Sequence, residues 1–243
     1  MISADTLSKV DAYWASYFAC RTAELNGNQT FVFTHAALAG YDGALAFRHG
    51  EACIVSVPES TPEVERAKLR AAKPSEVFDA KFLARVFVID SDKVTGPAWV
   101  GVADKSSFKP SKSEARLLTA ADEAAMREMA EGCGETAWKQ SKIAVDRQTN
   151  FGLFAGGKLV AASGYLNMGG LLAYIGVITH PAHRGKGYAK AVVTASMSHA
   201  IQKGLYPMWR TLQSNETAVK LAGAIGFEQY ASTLDVQLTE DEF

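Results

Sequence analysis

A chain of 243 residues with 48% apolar and 21% charged residues is long enough for one large or two small globular domains with real cores. Its 25 basic and 26 acidic residues give a net charge of −1, which provides no electrostatic basis for binding nucleic acid or an anionic membrane. Three cysteines without CxxC spacing argue against a disulfide framework or a cysteine zinc site. Charged residues near the N-terminus argue against a signal peptide, and no apolar run reaches the ~18 residues of a membrane span, so we expect a cytoplasmic protein.

The first hundred residues predict an α/β domain. Apolar residues at helical spacing predict a helix over 5–20, and short β-branched and aromatic runs predict strands over 30–34, 43–47 and 52–57. The remaining expected elements are helices over 63–72 and 75–84 and strands over 86–89 and 98–102. Residues 105–113 are polar, contain a proline and lack periodicity, which is typical of a linker. We therefore expect one domain over 1–108 and a second over 109–243.

The second domain is predicted to alternate a sheet with long helices. A helix ends near 131, strands cover 151–155, 158–166 and 171–179, and the longest helix covers 188–203. The glycine pairs at 156–157 and 169–170 fit hairpin turns, since glycine adopts positive φ without steric cost. A strand over 207–212, a helix over 215–225 and a final extended segment over 229–238 complete the pattern.

The informative segment is Ile-Gly-Val-Ile-Thr-His-Pro-Ala-His-Arg-Gly-Lys-Gly-Tyr-Ala-Lys, residues 175–190. A strand runs through a glycine turn directly into the longest helix, whose first amides have no partners within the helix and lie at the positive end of its dipole. Gly185 and Gly187 keep side chains away from those amides, and Arg184, Lys186 and Lys190 add positive charge. This arrangement is suited to binding a pyrophosphate.

Two other anion-binding motifs do not fit. A Walker P-loop needs a serine or threonine directly after its lysine, where Gly187 stands after Lys186. A dinucleotide fingerprint needs a third glycine at the position of Lys190 and an acidic residue about twenty positions later, where none is found.

Residues 116–238 resemble the GNAT superfamily of N-acetyltransferases. Arg184, Gly187 and Ala189 match that family's acetyl-CoA loop, with strand residues and Pro181 before it and a long helix after it. The helix that begins at Asn215 and ends in Gly226-Phe227 matches the second family signature. A weaker similarity relates residues 54–58 to residues 177–181, which makes the N-terminal half a candidate degenerate copy of the same fold.

The resemblance implies a mixed α/β fold with a GNAT-like sheet that splays at one parallel strand pair. It implies an acetyltransferase that moves an acetyl group from acetyl-CoA directly to a primary amine in a ternary complex, with no metal and with a small molecule or a peptide as acceptor. The oligomeric state is open. The residues that the resemblance assigns to the cofactor are Ile178, Thr179, Arg184, Gly185, Lys186, Gly187, Tyr188, Ala189, Lys190 and Asn215.

One departure from the family concerns proton transfer. Ala222 stands where many relatives have a tyrosine that protonates the leaving thiolate, and the strand position near Ala173 has no glutamate base. The sequence does not select among four substitutes, namely Tyr174, Tyr206, Tyr230 and Glu135. Two other interpretations therefore stay open, a CoA-binding regulatory module without turnover and a structural protein in which the glycine loop is only a turn.

Other combinations of residues are weaker signals. His180 and His183 lie in a loop without a third ligand nearby, so solvated loop histidines are a better interpretation than a metal site. Asn215 fits a helix N-cap as well as a cofactor ligand.

Overall fold

A computed structural model describes residues 1–143 and 149–238 of the chain. Within these ranges the α-helices are α1 (Ala4–Tyr17), α2 (Thr22–Leu25), α3 (Glu63–Ala71), α4 (Pro74–Val77), α5 (Ala80–Phe87), α6 (Glu123–Cys133), α7 (Glu135–Ser141), α8 (Tyr188–Gln202) and α9 (Glu216–Ile225). The strands are β1 (Thr30–Thr34), β2 (Gly43–His49), β3 (Ala52–Val57), β4 (Val94–Val102), β5 (Arg116–Leu117), β6 (Thr149–Ala155), β7 (Lys158–Met168), β8 (Leu172–Thr179), β9 (Tyr206–Leu212) and β10 (Glu228–Gln237).

Most elements that the sequence predicts are present within one to four residues of their expected ends. The two hairpin turns are confirmed, because both glycines of each pair have φ between 59° and 79°. The long helix is also confirmed, and Gly204 follows it with a φ of 78°, as a helix C-terminus favours.

Two of the predicted elements differ from the structure. The strand over 86–89 is wrong, because Val86 and Phe87 are the buried last turn of α5 and Val88 caps it in the left-handed conformation. The single helix over 75–84 is two helices, α4 and α5, because Asp79 forms an N-cap whose carboxylate accepts from the Phe82 amide at 2.8 Å. Three short elements, α2, α7 and β5, were not predicted.

The described chain forms two compact units that exchange segments. The loop unit consists of Met1–Ser3, Gly101–Arg210 and Lys220–Glu228, and the N-terminal unit of Ala4–Val100, Thr211–Val219 and the described part of Gln229–Phe243. Each unit contains segments from both predicted domains. The division into domains at residue 108 therefore stays a prediction.

The N-terminal unit is built on strands in the order β1-β3-β2-β10-β4. β1 and β3 run parallel, and β2 runs antiparallel to both β3 and β10. Helices α3, α4 and α5 supply Leu69, Val77 and Leu83 to a fully buried core with Val55 and Leu234 of the strands. Burial of five such side chains contributes roughly 1.5–3 kcal/mol each before chain entropy is counted.

In this unit, the turn after β3 is the segment that resembles the GNAT loop, and a side chain of the following helix α3 fills it. Arg66 of α3 donates to the carbonyls of Pro58 and Thr61 at 2.7 and 2.9 Å, and so fills the turn after β3. β3 pairs with β1 and β2, whereas β8 pairs with β7 and β9. The common ancestry of the two halves stays a prediction.

The loop unit has strands in the order β9-β8-β7-β6-β5, with helices on both faces. On one face, Met126 and Met129 of α6 pack with Leu159 and Ile178 of the strands. On the other face, Val192 of α8 packs with strand residues of β6 and β7. β7 and β8 are therefore covered on both sides, which fixes the end of β8 from which the glycine loop leaves.

Among the described helices, none combines the length with the apolar composition that crossing a bilayer requires.

Candidate cofactor site

The central parallel pair of strands separates part of the way along its length. β8 is paired with β7 over all eight of its residues, but its register with β9 consists of Leu172↔Tyr206, Ala173↔Pro207 and Tyr174↔Met208. Beyond Tyr174 the described residues of β9 no longer pair with β8. Main-chain groups on this side of β8 are therefore left without a ladder partner in β9 between Ile175 and Thr179.

The segment after β8 turns sharply into α8. A short 3-10 turn, Pro181–His183, is followed by Gly185 with φ 77° and by Gly187 with φ 78°, and Gly187 is the N-cap of α8. A side chain at either position would force a left-handed backbone, which costs about 1–2 kcal/mol for a non-glycine residue. A Cβ added at Gly185 or Gly187 would meet no atom within 4 Å, so both positions border open space.

The amides of this turn are unused by the protein. Within the described part of the chain, no acceptor bonds the main-chain N–H groups of residues 185–190, and the first bond of the helix runs from Ala191 to the Gly187 carbonyl at 3.3 Å. Residues 184–187 are exposed. Six consecutive amides, open at the positive end of a 15-residue helix, form an anion site of the kind that binds phosphate.

Positive side chains surround these amides. Arg184 donates through Nε to the Thr179 carbonyl at 3.4 Å, which holds its stem along the end of β8. Among the described residues, no carboxylate lies within ion-pair distance of Lys186 or Lys190. Both ammonium groups are therefore available to an anion at the loop.

Two buried polar atoms near the loop also lack partners among the described residues. They are Oγ1 of Thr179, at the end of β8, and Nδ1 of His183, just before Arg184. A buried donor or acceptor without a hydrogen bond costs about 1–3 kcal/mol. A bound ligand that reaches these atoms would remove that cost, so the residues fit a polar cofactor that runs from the separated strands to the loop.

The two loop histidines do not assemble a metal site. His180 Nδ1 accepts from the Ala182 amide at 3.3 Å, and its ring lies so close to Gly132 of α6 that a Cβ there would be 2.6 Å from Nε2. The described residues contain no group of three histidine, cysteine or acidic side chains that could bind a metal ion. That the reaction needs no metal stays a prediction.

Asn215 stands directly before α9 and belongs to the N-terminal unit. Its Oδ1 accepts from the Ala218 amide at 3.2 Å, which is N-cap geometry. The N-cap interpretation is therefore supported, and a role for Asn215 in cofactor binding stays a prediction.

Two of the four candidates for proton transfer, Tyr230 and Glu135, already form strong contacts with charged side chains. Tyr230 is buried and donates to Asp11 Oδ1 at 2.6 Å, and burial together with this carboxylate raises the pKa of Tyr230 far above its ordinary value. Glu135 is 80% exposed and pairs with Lys139 at 2.7 Å, which lowers the pKa of Glu135. Neither is prepared to exchange a proton near neutral pH.

Tyr174 is the candidate at the strand fork, because it forms the last register pair between β8 and β9. Tyr206 lies two positions before the fork on β9, and both tyrosines are partly buried. Ala222, at the usual tyrosine position, is fully buried in α9. The sequence did not separate Tyr174 from the other candidates, because the point at which two strands part is not visible in either strand alone.

A sheet that splays at a parallel pair, with an open helix N-terminus after the first strand of that pair, defines an acyl-CoA-dependent acyltransferase fold. Residues 125–233 match the sequence model of the GNAT acetyltransferase family. The match covers fewer than half of the 243 residues, so this part of the chain is similar to the GNAT acetyltransferases, and the similarity supports an acetyltransferase.

One solved structure has the same fold over nearly the whole chain, and two others are similar to it at lower TM-scores. A GNAT-family acetyltransferase from Colwellia psychrerythraea is 15% identical with a TM-score of 0.56, and the match covers 98% of each chain. A GCN5-related N-acetyltransferase-like protein from Streptococcus suis is 15% identical with a TM-score of 0.43, over 96% of this chain and 98% of that one. A GNAT-family protein from Novosphingobium aromaticivorans is 24% identical with a TM-score of 0.47, over 60% of this chain and 66% of that one, just under two thirds of its length. No protein with curated functional data matches this sequence.

Proposed function

We propose that the protein transfers the acetyl group of acetyl-CoA directly to a primary amine in a ternary complex, with a small molecule or a peptide as acceptor. The observation that supports this most is the row of unpartnered amides over residues 185–190, at the end of a strand that has separated from its parallel neighbour. We further infer a cytoplasmic location, in keeping with Cys20, Cys53 and Cys133 as free thiols.

The proposed cofactor contacts follow the chain from strand to helix. Main-chain groups of Ile178 and Thr179, with the Thr179 hydroxyl, would bond the pantetheine arm. The amides from Gly185 through Tyr188 and Ala189 to Lys190 would hold the pyrophosphate. The side chains of Arg184, Lys186 and Lys190 would neutralise its charge, and Asn215 is a further proposed contact.

The transfer forms a nitrogen–carbon bond and breaks the carbon–sulfur bond of the thioester, while the amine loses a proton and the sulfur gains one. Acetyl-CoA would supply the activated acyl group. Main-chain N–H groups of β8 past Tyr174, which have no partner among the described residues of β9, would stabilise negative charge on the carbonyl oxygen, the largest contribution expected from a preorganised site. Water would deprotonate the amine, and Tyr174, which forms the last register pair before the fork, is the residue that we propose to protonate the sulfur.

A CoA-binding module without turnover is the second candidate function. The fully buried Ala222 supports it, because the usual acid is absent and no side chain can be brought to that position without repacking α9. The two candidates agree on cofactor binding and disagree on release of CoA.

Two measurements distinguish the candidates. A melting curve with and without CoA tests the site, because a ligand at 100 times its Kd stabilises the folded protein by about 2.7 kcal/mol. Formation of CoA from acetyl-CoA, followed by liquid chromatography over a panel of amines, tests turnover. Chromatography is preferable to a thiol reagent, because the partly exposed Cys20 and Cys133 would react with it.

Amine-dependent CoA release together with the thermal shift is the expected result. A thermal shift without release for any amine would favour the regulatory module. No shift at saturating CoA would contradict both and leave a glycine loop that serves only as a turn. If turnover is found, Tyr174→Phe should lower kcat with little change in the CoA-induced shift.

A further inference from the structure

A second surface with ligand-binding character lies on the N-terminal unit, along the outer side of α5. Two hollows adjoin there, with volumes of about 1010 and 510 Å³, and Arg85 lines both of them. The larger hollow has Val88, Ile89 and Leu238 among its walls. The smaller one has Phe82. The surface, which we call the α5 surface, therefore offers two open hollows that share one arginine, and each hollow has both charged and apolar side chains in its lining.

Uncompensated positive charge surrounds the hollows. Lys81 and Lys93 line the larger hollow with Arg85, and Lys68 lines the smaller one. None of these four cations has a carboxylate within ion-pair distance in the part of the chain that the structure describes. The acidic residues at the hollows are fewer, Asp90 and Glu76, and Glu76 already accepts from the Lys73 amide at 2.8 Å.

Val88 at the rim of the larger hollow is unusual in two respects. Its side chain is 83% exposed, and its φ is 56°, a left-handed conformation that is rare for a β-branched residue. The left-handed φ belongs to the cap that ends α5, and this cap leaves the Val88 side chain in solvent at the rim of the hollow. Val88 is therefore available for an apolar contact there.

We propose that the α5 surface binds an acidic peptide segment of a partner protein, with an apolar side chain in each hollow and carboxylates around Arg85. Charge complementarity selects an acidic ligand, and the apolar residues in each lining, such as Ile89 and Phe82, favour a peptide with apolar side chains over a bare phosphate. Nucleic acid fits poorly, because four cations on a chain of net charge −1 are too few for an extended phosphate backbone. The proposal is independent of the acetyltransferase site.

Fluorescence anisotropy with synthetic peptides tests the proposal on the full-length protein. The probes are fluorescein-labelled peptides with two leucines separated by two, three or four glutamates and flanked by aspartates, and their matched analogues with glutamine and asparagine in place of the acids. At least one acidic probe should bind saturably with a Kd below about 1 mM, and its neutral analogue should bind at least about tenfold more weakly.

Charge reversal locates the site. The double variant Lys81→Glu/Arg85→Glu should weaken binding about tenfold, because both attractive contacts become repulsive. Lys105→Glu is the matched control, since Lys105 is an exposed cation of the loop unit, and it should change the Kd by less than about twofold. A melting curve for each variant reports on folding, and exposed substitutions of this kind usually change stability little.

Three results would overturn the proposal: no saturable binding by any acidic probe up to about 1 mM, equal binding of the neutral analogues, or equal loss of affinity in Lys105→Glu. If the double variant does not fold, the single variants Lys81→Glu and Arg85→Glu take its place, with about a threefold loss expected for each.

Discussion

Substitution of Gly187 tests the cofactor site, because a second glycine at the other end of α8 serves as a matched control. Gly187 and Gly204 lie at the two ends of this helix, both have φ 78°, both are exposed, and a Cβ at either would meet no atom within 4 Å. Substitution by glutamate therefore imposes the same backbone strain, about 1–2 kcal/mol, at both positions. Only Gly187→Glu places a carboxylate and a side chain over the open amides.

The expected magnitudes separate stability from binding. Each variant should melt about 2–8 °C below the unmodified protein without ligand, since ~1 kcal/mol corresponds to ~2–4 °C in a chain of this size. Gly204→Glu should be the less stable of the two, because its carboxylate faces the negative end of the helix dipole whereas that of Gly187→Glu faces the positive end.

CoA at 100 times its Kd should raise the melting temperature of the unmodified protein by roughly 5–11 °C. Gly204→Glu should keep this shift, and Gly187→Glu should lose it. Differential scanning fluorimetry over a CoA titration measures both effects in one experiment. A full shift in Gly187→Glu, or an equal loss in both variants, would refute the assignment of the pyrophosphate to this loop.

Three further predictions concern residues around the site. Asn215→Ala should lower stability by about 1 kcal/mol through loss of the N-cap, and a CoA-induced shift that is also smaller than in the unmodified protein would add cofactor binding to its role. Asp122 accepts from the Arg116 guanidinium at 2.6 and 2.8 Å, and this contact lowers the pKa of Asp122. The ion pair therefore stabilises the folded state fully above the ordinary aspartate pKa of ~3.9, and this stabilisation declines as the pH falls below it. Asp122→Asn should therefore melt lower at pH 7, by about 1 kcal/mol, and the difference should shrink below about pH 4; a difference that is constant with pH would contradict the ion-pair account. Gly226→Ala should destabilise the chain by more than about 2 kcal/mol in chemical denaturation, because φ is 108° and the added Cβ would lie 2.1 Å from the Ser107 carbonyl oxygen; a change within error would show that the backbone relaxes freely there.

Local patterns in the sequence predicted the elements well where one physical signal dominated. β1 and β3 were located by short β-branched and aromatic runs, and α8 by its apolar stripe and the glycine after it. The strand expected over 86–89 failed because a short β-branched run is equally compatible with a buried helix end, and only the packing of Val86 and Phe87 against the core decides between them. Helix α7 has seven residues, too few for a reliable period.

The sequence located the candidate site but did not identify all of the groups that form it. The glycines and cations of residues 184–190 are contiguous, so their chemistry could be recognised before the fold was known. The fork after Tyr174 and the orphaned Thr179 hydroxyl depend on strands that are distant in the chain, and no local pattern encodes them. The acceptor is likewise not encoded by any one segment.

The position of β10 in the N-terminal unit has a consequence for biosynthesis. β10, the last strand of the described residues, lies between β2 and β4, and it pairs with β2 over six residues from Ser232 to Gln237. While the ribosome is still adding residues 101–210, the emerged N-terminal unit lacks an interior strand of its own sheet, and β2 has an open edge. Most of the N-terminal unit is therefore synthesised first but waits for β10, so termination of translation within the loop unit would leave both units unfinished.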